Sequence, residues 1–216
     1  MHDELLQQIA SARDAAYGTL GRMEGDVLTF MINPAFDGGP RWPSLRQAWR
    51  VIHRPGSTLL ASDGLSDPFD DQEEPSRGFG LECLIETDEP LEKISASWPF
   101  QVLVEVSQAA ASHGSLRPLL ADLKLLSLEV SGEGMPEPLV TADGCVGVML
   151  GVPSTTLPSL LQTPAGDVQL VTVKVLLAPE LEYIRKKGAQ GRLDLARRFA
   201  ETGQEHLSRA HRPPVL

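Results

Sequence analysis

The chain has 216 residues, 42% of them hydrophobic and 22% charged, with a formal net charge of −10 at pH 7. That length fills one core and is short for two enzyme-sized domains, and the hydrophobic share excludes global disorder. The acidic balance argues against a nucleic-acid backbone or an anionic membrane as the main partner, because both repel it within a Debye length.

Cys83 and Cys145 are the only cysteines. Each lies in an apolar, strand-like run, which reads as a small, reduced, buried thiol. The opening residues, Met1 to Gln8, lack the basic region and apolar block of a secretion signal, and no window reaches the roughly 18 apolar residues of a membrane span. A cytoplasmic location is expected.

Residues 3–17 read as an amphipathic helix with Leu5, Leu6, Ile9, Ala12 and Ala16 on one side and Gly18 as a stop. The expected organisation is an N-terminal helix over 1–20 packed on the core, one domain over 21–205 and a flexible tail over 206–216. Three strands follow the helix: Val27 to Ile32, then Ala48 to Arg54 and Ser57 to Ser62, the last two turned by Pro55-Gly56. The strings Asp63-Gly64-Leu65-Ser66-Asp67 and Gly78-Phe79-Gly80-Leu81-Glu82 then flank an acidic loop, Pro68 to Arg77. Their glycines permit tight turns into the neighbouring strands, so the charges between them project from a fixed frame.

Phe79 to Thr87 alternates as a strand with Phe79, Leu81, Cys83 and Ile85 buried and Gly80, Glu82, Leu84 and Glu86 on a partly wet face. Ser97 caps a helix that tolerates Pro99 in its first turn and carries Trp98, Val102, Val106, Ala109 and His113 at helical spacing. Residues 116–163 are ambiguous between helix and strand, apart from a buried strand over Cys145 to Val152. Thr163-Pro164-Ala165-Gly166-Asp167 is a turn into Val168 to Leu177, whose aliphatic run predicts a central strand. Pro179-Glu180-Leu181-Glu182 opens a helix that Arg185-Lys186-Lys187-Gly188 closes, in agreement with the helix dipole. A last helix over about 192–202 turns Leu193, Ala196, Phe199 and Ala200 inward.

Catalytic constellations fail one by one. Gly64-Leu65-Ser66-Asp67-Pro68 has proline where a nucleophile elbow needs glycine, so Ser66 and Asp67 read as local turn residues. His206 and His211 are five apart with no partner motif and read as solvated. Asp67, Asp70, Asp71, Glu73 and Glu74 can grip a hard cation but lack the alternating spacing of a calcium loop. No glycine pattern enters a helix as a phosphate cradle. The acidic loop is left as a recognition element for a basic partner, with Phe69 either tucked into the core or offered as a hot spot.

Read in order, four strings resemble the Suppressor of fused family: Gly64 to Asp67, Gly78 to Glu82, Ser97-Trp98-Pro99, and Thr163-Pro164-Ala165-Gly166-Asp167-Val168, followed by Pro179-Glu180-Leu181 and Gln190-Gly191 with Leu193. The similarity spans about residues 27 to 200. The resemblance implies a mixed α/β (α+β) sandwich, a largely antiparallel sheet packed by helices, with no known catalysis and no cofactor. Animal members of the family add a second domain and clamp an extended peptide of a transcription factor. Bacterial members are predicted to be immunity proteins that neutralise polymorphic toxins, and this chain looks like that single-domain type. The family's partner contacts match Phe69 and either Glu73 or Glu74 here.

The expected function is therefore a non-enzymatic protein-binding module that masks a basic toxin or an extended peptide through Asp67, Phe69, Asp70, Asp71, Glu73 and Glu74. Two alternatives stand beside it: a metal-dependent hydrolase using the Asp67–Glu74 carboxylates, and self-association of the Arg- and Lys-rich C-terminal helices with the acidic loop of a second copy.

Overall fold

The structure, a computed structural model, describes residues 2–72 and 74–216. Helix α1 (His2–Leu20) leads into two short strands, β1 (Arg22–Met23) and β2 (Leu28–Thr29), and then the hairpin of β3 (Ala48–Arg54) and β4 (Ser57–Asp63). Strand β5 (Leu81–Thr87), helices α2 (Trp98–His113) and α3 (Leu116–Leu123), and strands β6 (Leu126–Ser131), β7 (Cys145–Leu150), β8 (Leu160–Thr163) and β9 (Gly166–Val175) follow. Helices α4 (Ala178–Lys187) and α5 (Ala189–Glu201) end the regular structure.

The strands form one sheet in the order β1-β3-β4-β5-β9-β7-β6, with β2 on β3 and β8 on β9. Every pairing is antiparallel except β5 with β9, where Leu81 lies opposite Gln169 and Leu84 opposite Thr172. This is the expected α+β architecture, with the aliphatic run of β9 in mid-sheet.

The central strands are buried on both faces, which explains their departure from simple alternation. Val51, Leu60, Cys83, Ile85, Val171 and Val173 meet Val102, Leu103, Val106 and Ala110 of α2. On the opposite face Ile52, Leu59, Ala61, Leu84 and Leu170 pack with Tyr17 of α1. Further along, Met149 packs with Leu181 and Ile184 of α4 and Leu195 and Phe199 of α5. Trp49 anchors the α2 side through edge-to-face contacts with Phe30, Trp42 and Phe100 at 5.3 to 5.5 Å, and its indole N–H donates to Ser107 Oγ at 3.2 Å.

Several expectations are corrected. Helix α1 continues through Gly18 to Leu20. The strand expected over 27–32 contracts to two residues, leaving Met31 and Ile32 exposed. All seven residues of β5 are buried, so Glu82 and Glu86 are not on a wet face. Ser97 occupies the N-cap position, but its hydroxyl donates backward to the Ile94 carbonyl at 2.7 Å and caps nothing. In α5 Phe199 turns inward as expected together with Leu195, while Leu193 and Ala200 are exposed.

The tail is the largest departure. Residues 206–212 lie along the sheet instead of in solvent: Ser208 N–H donates to Glu86 O at 2.8 Å, and Ser208 Oγ accepts from Val175 N at 3.0 Å. His206 is buried with Nε2 2.7 Å from Glu86, while His211 is exposed as expected. The buried ammonium of Lys174 donates to the Leu207 carbonyl, and burial pushes its pKa down to about 7. Arg212 forms a bidentate pair with fully buried Glu180, 2.6 Å to each oxygen. The sequence hides this segment, because its buried residues His206, Ser208 and Ala210 are polar or small and their partners lie far away in sequence.

Replacing Arg212 with Met leaves Glu180 buried without its cation, which costs about 3 to 5 kcal/mol. Urea denaturation is the measurement, and Glu180→Gln with Arg212→Met together is expected to recover much of the loss. A single variant as stable as the parent would mean that the tail does not dock.

Candidate partner-binding surface

The two glycine strings meet at one place. Gly64 has φ of 147°, and a β-carbon there would lie 2.4 Å from the Arg46 carbonyl oxygen. Gly78 has φ of 53°, with the Asp67 carbonyl equally close. Both positions therefore demand glycine, and the Phe79 N–H closes the neck of the loop on Leu65 O at 2.9 Å.

Beneath this neck lies a buried ionic cradle. Arg13 of α1, fully buried, donates from Nε to Asp63 Oδ1 at 2.6 Å, from Nη1 to Ser66 Oγ at 2.9 Å and from Nη2 to Asp67 Oδ1 at 2.8 Å. Its Nη1 also lies 3.4 Å from Glu82 Oε1. Glu82 accepts from the Ser62 hydroxyl, from Ser66 Oγ at 2.6 Å and from the N–H groups of Gly64 and Ser66 at 3.1 and 3.0 Å. Asp63 is shared further with Arg46 at 2.6 Å and Arg50 at 2.8 Å. Each buried charge thus has the partners that make burial tolerable.

The carboxylates respond differently. Burial tends to raise Asp63, but the guanidinium groups of Arg13, Arg46 and Arg50 outweigh it and hold the pKa down to about 2. Glu82 is raised, because burial outweighs Arg13 and the serine hydroxyls.

The expected contact residues divide. Asp67 is withdrawn from the surface: fully buried, it accepts from Arg13 and from Ser44 Oγ at 2.6 Å. It belongs to the frame, as does Ser66, whose bonds are long-range and not those of a local turn. Phe69 is half-buried, stacked edge-on against Phe79 with centroids 5.4 Å apart, and its N–H donates to Ser76 Oγ at 2.9 Å. Asp70 is exposed and paired with Arg41 at 2.8 Å, while Asp71 and Glu74 are exposed. Glu73 lies outside the described residues. Between this loop and the first turn of α1 is a cleft of about 490 Å³, lined by Leu5, Pro68, Asp70, Gln72, Glu74 and Pro75 together with His2. The loop and helix thus form one surface: an apolar floor with carboxylates at the rim.

Among the described residues, the loop acids do not gather as a metal site. Among the described residues, the His, Cys, Asp and Glu side chains that come within coordinating reach of one another are Glu129, Asp143 and Cys145, at the far edge of the sheet, and Arg185 already bridges both of those acids.

Arg13, Asp63 and Glu82 escaped the reading of the chain. Arg13 falls at Ile9 plus four and Tyr17 minus four, on the buried stripe of α1, and a cation in that stripe was the available signal.

A mixed, mostly antiparallel sheet with helices on both faces is an α+β fold, and the arrangement is of the Suppressor of fused type. The chain superposes on a structure described as "the Sufu-Fu complex crystal structure" with a TM-score of 0.61 at 16% identity, covering 98% of this chain and 92% of the other. A crystal structure of Drosophila Suppressor of Fused matches with the same TM-score at 14% identity, and the chain spans about half of that protein (51%). No family model matches the sequence, and no curated protein matches it.

Arg13→Met is expected to lower stability by about 3 to 5 kcal/mol, because three buried carboxylates lose their common cation. Asp63 carries a pH signature. Its proton affinity is lower folded than unfolded, so its contribution is complete above about pH 4 and drains as pH falls toward the folded value of about 2. Asp63→Asn should flatten that acid limb in denaturation curves taken between pH 5 and 2; an unchanged limb would refute the assignment.

Proposed function

We propose that this protein is a binding module that masks a protein partner at the face formed by the acidic loop and the start of α1, and that it performs no catalysis. The observation that carries the reading is the separation of roles within one loop. Asp67 and Ser66 are locked into the cradle below, and Asp70, Asp71 and Glu74 are left exposed beside an apolar cleft. A rigid neck presenting unburied carboxylates steers a cationic macromolecule and limits the entropy lost on capture. Similarity of fold to a protein found in a Sufu–Fu complex supports a protein partner.

The finer reading is that of an immunity protein whose partner is a basic toxin, with Phe69 and Glu73 or Glu74 at the contact. It rests on the four strings and on the net charge of −10.

The test is co-expression with the product of the adjacent gene, followed by association kinetics on the purified pair. Neutralising Asp70, Asp71 and Glu74 as Asn, Asn and Gln is expected to slow association about tenfold at low salt and to flatten its dependence on ionic strength. An association rate and salt slope equal to those of the parent would remove this face from the binding site. Failure of the two gene products to associate would overturn the immunity reading.

A further inference from the structure

Ser97-Trp98-Pro99 plays no part in the acidic face. Its tryptophan lines a separate cleft of about 760 Å³, between the β5–α2 connection and the C-terminal segment, together with Pro90, Leu91, Glu89, Glu92 and His211. Trp98 is half-buried, and its indole N–H donates to Glu89 Oε2 at 3.2 Å, which fixes the ring against the wall.

Glu89 is the distinctive member. Its side chain is 17% exposed, and its other oxygen accepts the backbone N–H of His211 at 2.8 Å. Neighbouring Asp88 is neutralised by a bidentate Arg209. Among the described residues, the ion-pair contact of Glu89 is His211 Nδ1 at 3.4 Å, on a side chain 74% exposed. Lys93, also on the rim, pairs with neither Glu89 nor Glu92. A mostly buried carboxylate is thus hydrogen-bonded by neutral donors, with the Arg209 guanidinium close enough to act on it but bonded to Asp88, next to an aromatic ring and two apolar side chains.

We propose that this cleft binds an alkylammonium group. The carboxylate of Glu89 supplies the counter-charge, the indole attracts the cation by its quadrupole, and Pro90 and Leu91 cover the alkyl stem. An anion is disfavoured by Glu89 and Glu92. The start of α2 does favour negative charge here, and Glu89 already provides it. The chemistry is shared by free amines and by the lysine side chain of a polypeptide.

Nuclear magnetic resonance on the full chain tests this directly. The chain has three tryptophans, and Trp42 and Trp49 are fully buried, so their indole N–H signals are internal controls for that of Trp98. Titration with n-butylammonium is expected to shift the Trp98 signal saturably in the millimolar range and leave the other two in place. The neutral isostere 1-butanol and the anion butyrate should produce no saturable shift. Glu92→Gln, an exposed rim substitution that leaves packing untouched, should weaken binding about threefold, and Glu89→Gln should weaken it more. N-acetyl-lysine-methylamide binding at least as tightly as n-butylammonium assigns the site to a lysine side chain, and weaker binding assigns it to a free amine. An equal response to 1-butanol, or no saturable shift with n-butylammonium, would overturn the proposal.

Discussion

One guanidinium organises the half of the molecule that carries the acidic loop. Arg13 brings a helix from the start of the chain to the carboxylates at the end of β4, at the neck and on β5, and it does so in a place that water does not reach. Isolated, any one of these groups would be too costly to bury. Together they define a single arrangement, because moving α1 breaks several charge-assisted bonds at once. The geometry of the loop above follows from this lock as much as from the glycines. Gly64 and Gly78 allow the chain to turn there, and Arg13 and Glu82 determine where the turn sits.

The same logic recurs at the other end of the chain. Glu86 gathers Arg54, Ser57 and His206, and Glu180 gathers Arg212. Glu82 and Glu86 stand four residues apart on β5 and so face the same side of the sheet. Leu84 between them packs against the α1 side, and the rest of that face is covered partly by α1 and partly by the C-terminal segment. Hydrophobic layers fill the sheet's two sides, while ionic contacts fix which chain segment lies over which strand.

Much of the fold was legible because its long elements obey simple periods. The apolar stripe of α1, the hairpin at Pro55-Gly56, the aliphatic run of β9 and the acid-to-base gradient of α4 each carry a local cause that the structure preserves. The exposure of the loop acids Asp70, Asp71 and Glu74 was legible because clustered charges without a cationic partner nearby in sequence remain in solvent. What was not legible is long-range and polar. Glu82 looked wet because carboxylates usually are, and nothing adjacent to it in sequence announces Arg13, 69 positions away. Residues 206–216 looked like a tail because their histidines, serine and arginines have no local partners. Short edge strands such as β1 and β8 exist only through pairing with a longer neighbour, so no propensity marks them.

The placement of Glu82 and Glu86 bears on how this chain can be trimmed. A single strand in mid-sheet holds the first helix by one carboxylate and the last segment by the other, so neither terminus is an appendage. Removing α1 takes Arg13 from Glu82, and removing the C-terminal segment takes His206 from Glu86, which keeps Arg54, and Arg212 from buried Glu180. A fragment confined to residues 21–205 would therefore lack the contacts that α1 and residues 206–212 make with buried Glu82, Glu86 and Glu180.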